Sequence, residues 1–280
     1  MRCRACQGAS MNQIADPNDL FAAASLRPDL CVEFFGLPGS GKTTIAHEVH
    51  AILARSNPEL VFAPRLLRDE AGIAVRATAK LCLVVSEVVR NGTSTDEIRR
   101  TMAVRQPRFH DSLRAAFAVA TVRSVYAKLR RLTLGAVLDQ GLLQALWSVQ
   151  LRAPDDEDCS ALAAGMLNDA VFSGRFHVAV QTPQAVCIER LEARSSKHSR
   201  MQKAGTATDH HLWRKAELLR QSILGDLHAA YRTQGIRTLI IAVDGTADPA
   251  VTARKIAQDL LLIGPPQGLR RASPGQGAVA

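Results

Sequence analysis

Eight consecutive residues, Gly36, Leu37, Pro38, Gly39, Ser40, Gly41, Lys42 and Thr43, fit the pattern G-x-x-x-x-G-K-[ST] without a substitution. The chemistry such a run can perform is phosphate binding. Glycines let the chain curl until consecutive backbone N–H groups point inward at a phosphate chain, and a helix that follows adds its partially positive N-terminus. Here an apolar run over 30–35 precedes the loop and a helical pattern over 44–53 follows it. Gly36, Pro38, Gly39, Ser40, Gly41, Lys42, Thr43 and Thr44 are therefore expected to hold a nucleoside triphosphate. Lys42 would reach the β- and γ-phosphates, and the Thr43 hydroxyl would bind Mg²⁺.

The loop alone leaves open what becomes of the phosphate. The sequence has no N-K-x-D guanine reader and no L-S-G-G-Q signature, which sets GTPases and ABC-type ATPases aside. A second group could act on the phosphate: the apolar run 132–138 leads straight into Asp139-Gln140-Gly141. A carboxylate at the C-terminal end of a central strand faces the nucleotide crevice, where it can hold Mg²⁺ or take a proton from an acceptor hydroxyl. The plain alternative is that Asp139 caps the helical run 142–151.

Further on, Arg190 and Arg194 stand four apart, a spacing that puts them on one face of a helix. Lys197, Arg200 and Lys203 follow, so that between Glu189 and Lys203 five basic residues face two acidic ones. Guanidinium groups on a closing segment, here 190–203, can clamp the charge of a transferring phosphoryl group while excluding water. The roles assigned on this basis are catalysis for Lys42, Asp139, Arg194 and Arg200, nucleotide binding for the loop and Arg190, and metal binding for Thr43 and Asp139.

Those residues need elements to position them. Short apolar runs bounded by turn residues read as strands over 30–35, 60–63, 132–138, 176–180 and 238–243. Helical patterns separate them, the clearest being the stripe Leu212, Ala216, Leu219, Ile223, Leu227 and Ala230. This alternation predicts an α/β fold, a three-layer αβα sandwich with a mostly parallel five-stranded sheet. Residues 64–131 form a helical insertion between the second and third strands. Residues 1–29 read as a flexible lead-in and 264–280, rich in Gly, Pro and Ala, as a disordered tail, which leaves 30–263 as one domain.

With 280 residues, 47% of them hydrophobic, the chain can bury a large core, which excludes a disordered or fibrous protein. The formal net charge of +9 points to an acidic partner without choosing among nucleotide, nucleic acid and membrane surface. Residues 64–131 hold fourteen basic and six acidic side chains, a balance of +8, so nearly all the net charge lies in the insertion. Arg76, Arg105 and Arg123, flanked there by small or apolar residues, are the expected contacts of an anionic acceptor. An aromatic content of 4% is too low for a platform that stacks single-stranded bases, so nucleic acid is not the expected partner. No apolar run approaches the roughly 18 residues of a spanning helix, and the first residues lack the apolar core of a signal peptide. A cytoplasmic protein without a membrane partner is expected, with homodimerisation open. Cys31, Cys82 and Cys187 sit in apolar runs and read as buried thiols, and Cys3-x-x-Cys6 has no second pair to complete a zinc site.

The order of these parts resembles the thymidylate kinase-like P-loop kinases, a group that includes nucleoside monophosphate kinases and small-molecule phosphotransferases. A strand, GLPGSGKTT, a helix, an acidic strand end, a strand–turn–helix with R-x-x-x-R and a basic loop, a long helix and a last strand follow one another across roughly 30–262. The segment TLIIAVDGTADPAVTARKIAQDLL also looks like the closing strand, V-D-G turn and helix of that group. The resemblance implies a P-loop NTPase fold of kinase type, ATP and Mg²⁺ as cofactors, and the lid role of Arg190, Arg194 and Arg200. Two departures point away from thymidylate: Gln140 stands where thymidylate kinases carry arginine, and FAPRLLRDEAG has no clear counterpart of their acidic acceptor segment. Asp139-Gln140-Gly141 followed by LLQALWS looks closer to bacterial kinase-like ATP-binding proteins of the same fold.

The expected function is an ATP-dependent phosphotransferase, a kinase moving the γ-phosphate to a small anionic acceptor such as a nucleotide or sugar derivative. The alternative is a regulatory or accessory NTP-binding ATPase acting on a partner or on nucleic acid.

Overall fold

A strand that is to lie in the middle of a sheet must be apolar on both faces, and CVEFF meets that demand at every position but its glutamate. The computed structural model describes residues 30–63, 73–91, 95–172, 175–194, 201, 210–235 and 239–263. Strand β1 (Cys31–Phe35) lies at the centre of a five-stranded sheet with β2 (Val61–Phe62), β3 (Ala136–Leu138), β4 (Phe176–Gln181) and β5 (Ile240–Asp244). The order is β2-β3-β1-β4-β5 and every pairing is parallel, so the sheet expected to be mostly parallel is wholly so. In register, Glu33 lies opposite Leu138 on one side and His177 on the other.

Nine helices are present among the described residues. They are α1 (Lys42–Leu53), α2 (Ile73–Asn91), α3 (Thr95–Ala103), α4 (Phe109–Leu132), α5 (Leu142–Arg152), α6 (Ser160–Phe172), α7 (Gln184–Glu192), α8 (His210–Thr233) and α9 (Pro249–Ile263). α1 and α9 pack on each other and on one side of the sheet. α4, α5 and α8 are tied to the other side through Tyr126, Leu143 and Tyr231. The Trp147 indole donates to the Ala216 carbonyl at 2.9 Å and locks α5 to α8. This is the three-layer arrangement that the strand–helix alternation predicts.

The chain leaves β1 through α1 toward β2, on one side of the sheet. It leaves β3 through α5 and α6 and crosses β1 to reach β4 on the other. Departures in opposite directions from adjacent parallel strands open a crevice beyond their C-terminal ends, the place where α/β sheets bind ligands. Here the crevice lies beyond Phe35 and Leu138. The residues that follow are the glycine loop and Asp139.

Two local signals behave as capping chemistry demands. Asp248 accepts from the Ala250 and Val251 N–H groups, each at 2.9 Å, with Pro249 as the first residue of α9. The third strand is shorter than the apolar run 132–138. Leu132 is the last residue of α4, and Thr133 takes a left-handed conformation with φ 55°. The Leu134 N–H bonds to Leu129 O at 3.0 Å and the Thr133 N–H to Arg130 O at 3.2 Å, the paired bonds of a Schellman ending. The insertion is helical over 73–91, 95–103 and 109–132. The expected lead-in 1–29 and tail 264–280 lie outside the described residues. Among the described residues no helix is long and apolar enough to cross a membrane.

A β-branched residue at positive φ is strained where glycine would not be. Thr133→Gly is expected to raise stability by about 0.5–1 kcal/mol, measured by urea denaturation, whereas most substitutions lower it.

Candidate functional site

The loop between β1 and α1 is shaped by its own residue types. The Ser40 N–H bonds to Leu37 O at 3.1 Å across Pro38 and Gly39, the order that a type II turn favours. Gly39 (φ 84°) and Gly41 (φ 91°) both lie in the left-handed region, and a Cβ on Gly39 would run into the Cys187 carbonyl of α7. Gly41 then serves as N-cap of α1, so the first N–H groups of that helix, which have no partner within it, open toward the loop.

Lys42, the first helical residue, folds back over the loop. Its ammonium donates to Gly36 O and Leu37 O, each at 2.7 Å, and lies 3.5 Å from Ser40 Oγ. The side chain is buried, and loss of solvation pulls its pKa from 10.5 down to about 8. Cys187 and Asp139 oppose that shift, and the positive charge of Arg194 adds to it.

Beside it the Thr43 hydroxyl donates to Asp139 Oδ2 at 3.1 Å. The two residues are ninety-six positions apart and meet because β1 and β3 are neighbours. The N-cap of α5 is Gly141, with no side-chain cap. Asp139 is thus turned to the loop rather than to the helix it precedes. Two hard oxygens at one point fit Mg²⁺, which takes one or two protein ligands and fills its octahedron with phosphate oxygens and water.

The turn that carries Asp139 is held by a residue that the sequence reading passed over. Glu33 is fully buried; its carboxylate accepts from the Tyr126 hydroxyl of α4 and the Leu143 N–H of α5, each at 2.7 Å. Burial raises its pKa, while Arg175, Tyr126 and the α5 amides pull it back. The Arg175 guanidinium stacks on the Tyr126 ring at 3.5 Å. A Cβ on Gly141 would strike the Glu33 carboxyl and the Tyr126 hydroxyl, which is why this turn needs glycine. The available signal was a lone glutamate inside an apolar strand, three residues before the loop.

From the other side, Arg190 in the last turn of α7 donates through Nη1 to Gly245 O at 2.8 Å and lies against Gly41. The helix ends at Glu192, so Arg194 stands just beyond it rather than on its face. It is still close enough for its charge to act on Lys42. Arg200 and most of 190–203 lie outside the described residues. Gly36, Pro38, Gly39, Ser40, Gly41, Lys42, Thr43, Thr44, Asp139, Arg190 and Arg194 are thereby brought around one point.

A cavity of about 460 Å³ opens on the α4 side of that point. Asp139 and Gln140 form one boundary, and Lys80 of α2 and Arg114 of α4 supply its cations. Of the arginines expected to bind an acceptor, Arg105 and Arg123 do not line it. Arg105 is exposed and bonds to Asp156 and Glu157, and Arg123 is ion-paired with Glu97. The Arg76 side chain lies outside what is described. Compared with known proteins, the chain matches no family model, and no curated protein is significantly similar to it.

Two outcomes follow. A triphosphate favours the charged form of Lys42, and the free protein loses that proton above about pH 8. ATP titrations by calorimetry should therefore show proton uptake near pH 8 and affinity that falls as pH rises beyond it, whereas Lys42→Arg should flatten the profile. Gly141→Ala should cost about 1–3 kcal/mol in urea denaturation, because the added methyl meets a buried carboxyl that cannot move aside.

Proposed function

We propose that the chain is an ATP-dependent phosphotransferase of the P-loop kinase type, acting on a small hydroxyl-bearing acceptor. The observation that carries this is the double position of Asp139. Its carboxylate accepts the Thr43 hydroxyl at the phosphate loop, and the same residue borders the 460 Å³ cavity. Phosphate donor and acceptor would thus meet across one side chain, which simple hydrolysis does not require. A cavity of this size suits a small molecule rather than a macromolecular chain.

In this proposal the loop amides and the N-terminus of α1 hold the triphosphate, and Lys42 swings its ammonium from the Gly36 and Leu37 carbonyls onto phosphate oxygens. Thr43 and Asp139 would hold Mg²⁺, which when bound would supply positive charge to offset that of the phosphates. Asp139 Oδ1 orients the acceptor hydroxyl and receives its proton. Arg190, anchored on Gly245 O, and Arg194 stabilise charge on the phosphoryl group in transit, with Arg200 assigned to the same lid.

Labelled ATP and an acceptor panel test this directly. Lys42→Ala and Asp139→Asn should each reduce transfer by about a hundredfold or more. Both should keep the wild-type circular dichroism: loss of the buried ammonium removes a desolvation cost that offsets its two bonds to loop carbonyls, and an asparagine oxygen can still accept from Thr43. Full transfer by Asp139→Asn would remove that residue from the mechanism.

A further inference from the structure

The cavity beside Asp139 has a chemistry of its own. Its long wall is α4, which contributes two adjacent ridges at a spacing of four: Leu113, Phe117, Thr121 and Val125, and beside them Arg114, Ala118 and Val122. Such ridges form one continuous surface along a helix. Thr121 spends its hydroxyl on Phe117 O at 2.7 Å, so its outward side is a methyl group. Leu113 and Phe117 are 47% and 36% exposed, an apolar surface left open at a site already lined with function-bearing groups.

The polar groups stand at the ends. Val125 lies next to Tyr126, which touches Glu33 and the Gly141 turn, so this end of the wall is level with Asp139. Arg114 is eleven residues away along α4, about 16 Å at 1.5 Å per residue. It is exposed and makes no ion pair among the described residues, and Lys80 adds a second positive charge to the cavity. From Asp139 outward the site reads as a proton acceptor, an apolar wall, then a cation. A nucleobase would leave its polar edge against methyl and phenyl groups, which costs binding wherever a hydrogen bond is lost.

We infer that the acceptor is an elongated amphiphile: a primary hydroxyl at Asp139, an apolar body along Phe117, Val122 and Val125, and an anionic group, carboxylate or phosphate, at Arg114 and Lys80. This rests on the kinase reading above and narrows it. In the step, the acceptor oxygen bonds to the γ-phosphorus of ATP while the bond from that phosphorus to the β,γ-bridging oxygen breaks. The bond's electron pair leaves with ADP, and the hydroxyl proton passes to Asp139 and then to solvent.

The test uses the full chain, labelled ATP and four acceptors: 12-hydroxydodecanoate, 6-hydroxyhexanoate, thymidine monophosphate and ribose 5-phosphate. The two hydroxy acids carry the same functional groups and differ only in span and apolar area. The long acid is expected to exceed the short one in kcat/KM by about tenfold or more. Arg114→Gln and Phe117→Ser, both at exposed positions, are expected to raise KM for the long acid by about tenfold, with kcat and the KM for ATP little changed. Equal use of both acids, or transfer to the nucleotide or sugar phosphate with the acids refused, would overturn the acceptor class and leave the kinase reading standing. Refusal of all four with ATP still bound through Lys42 would do the same. Loss of Lys42-dependent ATP binding would take down both.

Discussion

A carboxylate taken out of water must find donors nearby, and Glu33 finds them on elements far apart in sequence. The Tyr126 hydroxyl reaches it from α4 and the Leu143 amide from α5, while Arg175 supplies the compensating charge from the start of β4. Because Glu33 lies on β1, three residues before the loop, these bonds tie the central strand to the helix that follows Asp139. The distance between Thr43 and Asp139 is then fixed by the sheet and by this tie, not by the flexible groups themselves. Buried ion clusters of this kind are weak evidence for stability. Here the geometric consequence matters more: the same carboxylate sets the turn at β3 and one wall of the cavity beside Asp139, since Tyr126 follows Val125 directly.

The glycine loop and the cavity beside Asp139 depend on that tie in different ways. The loop is mostly self-determined, since positive φ angles at Gly39 and Gly41 and the turn across Pro38 need little beyond their own residues. The cavity is determined only by assembly, because its wall is a helix that makes its contacts through rotation about its own axis. A small change in how α4 lies on the sheet would replace Leu113 and Phe117 with their neighbours on the wall. On the same helix Tyr126 and Leu129 are buried while Phe109 is exposed at its start.

That difference also explains what could be read without coordinates. The loop, the strand end at Asp139 and the strand–helix alternation are local patterns, and the residues that carry them lie where the pattern places them. The run 132–138 misleads because an apolar helix end and an apolar strand look alike when only Thr133 separates them, and threonine is an unusual ending for a helix. Arg105 and Arg123 mislead for another reason. Their neighbours in sequence are small or apolar, but their partners, Asp156 with Glu157 and Glu97, come from other elements. Lys80 and Arg114 carried no local mark that would have set them apart from the other cations of the insertion. Glu33 did carry one, as a charge within an apolar strand, yet its partners lie about 90 to 140 residues further on.

The position of β1 at the centre of the sheet has a consequence for how the chain is made. Among the described residues it is the first strand to be synthesised, but its neighbours begin only at Ala136 and Phe176. At about 5–20 residues per second, the second of those neighbours leaves the ribosome some 7–30 seconds after β1 does. For that interval an apolar strand has at least one open edge. Folding of this domain is therefore a long-range event at its very core, slow in the way that parallel sheets are slow. The helices made in between, α1 to α4, can form from local contacts while the strand waits.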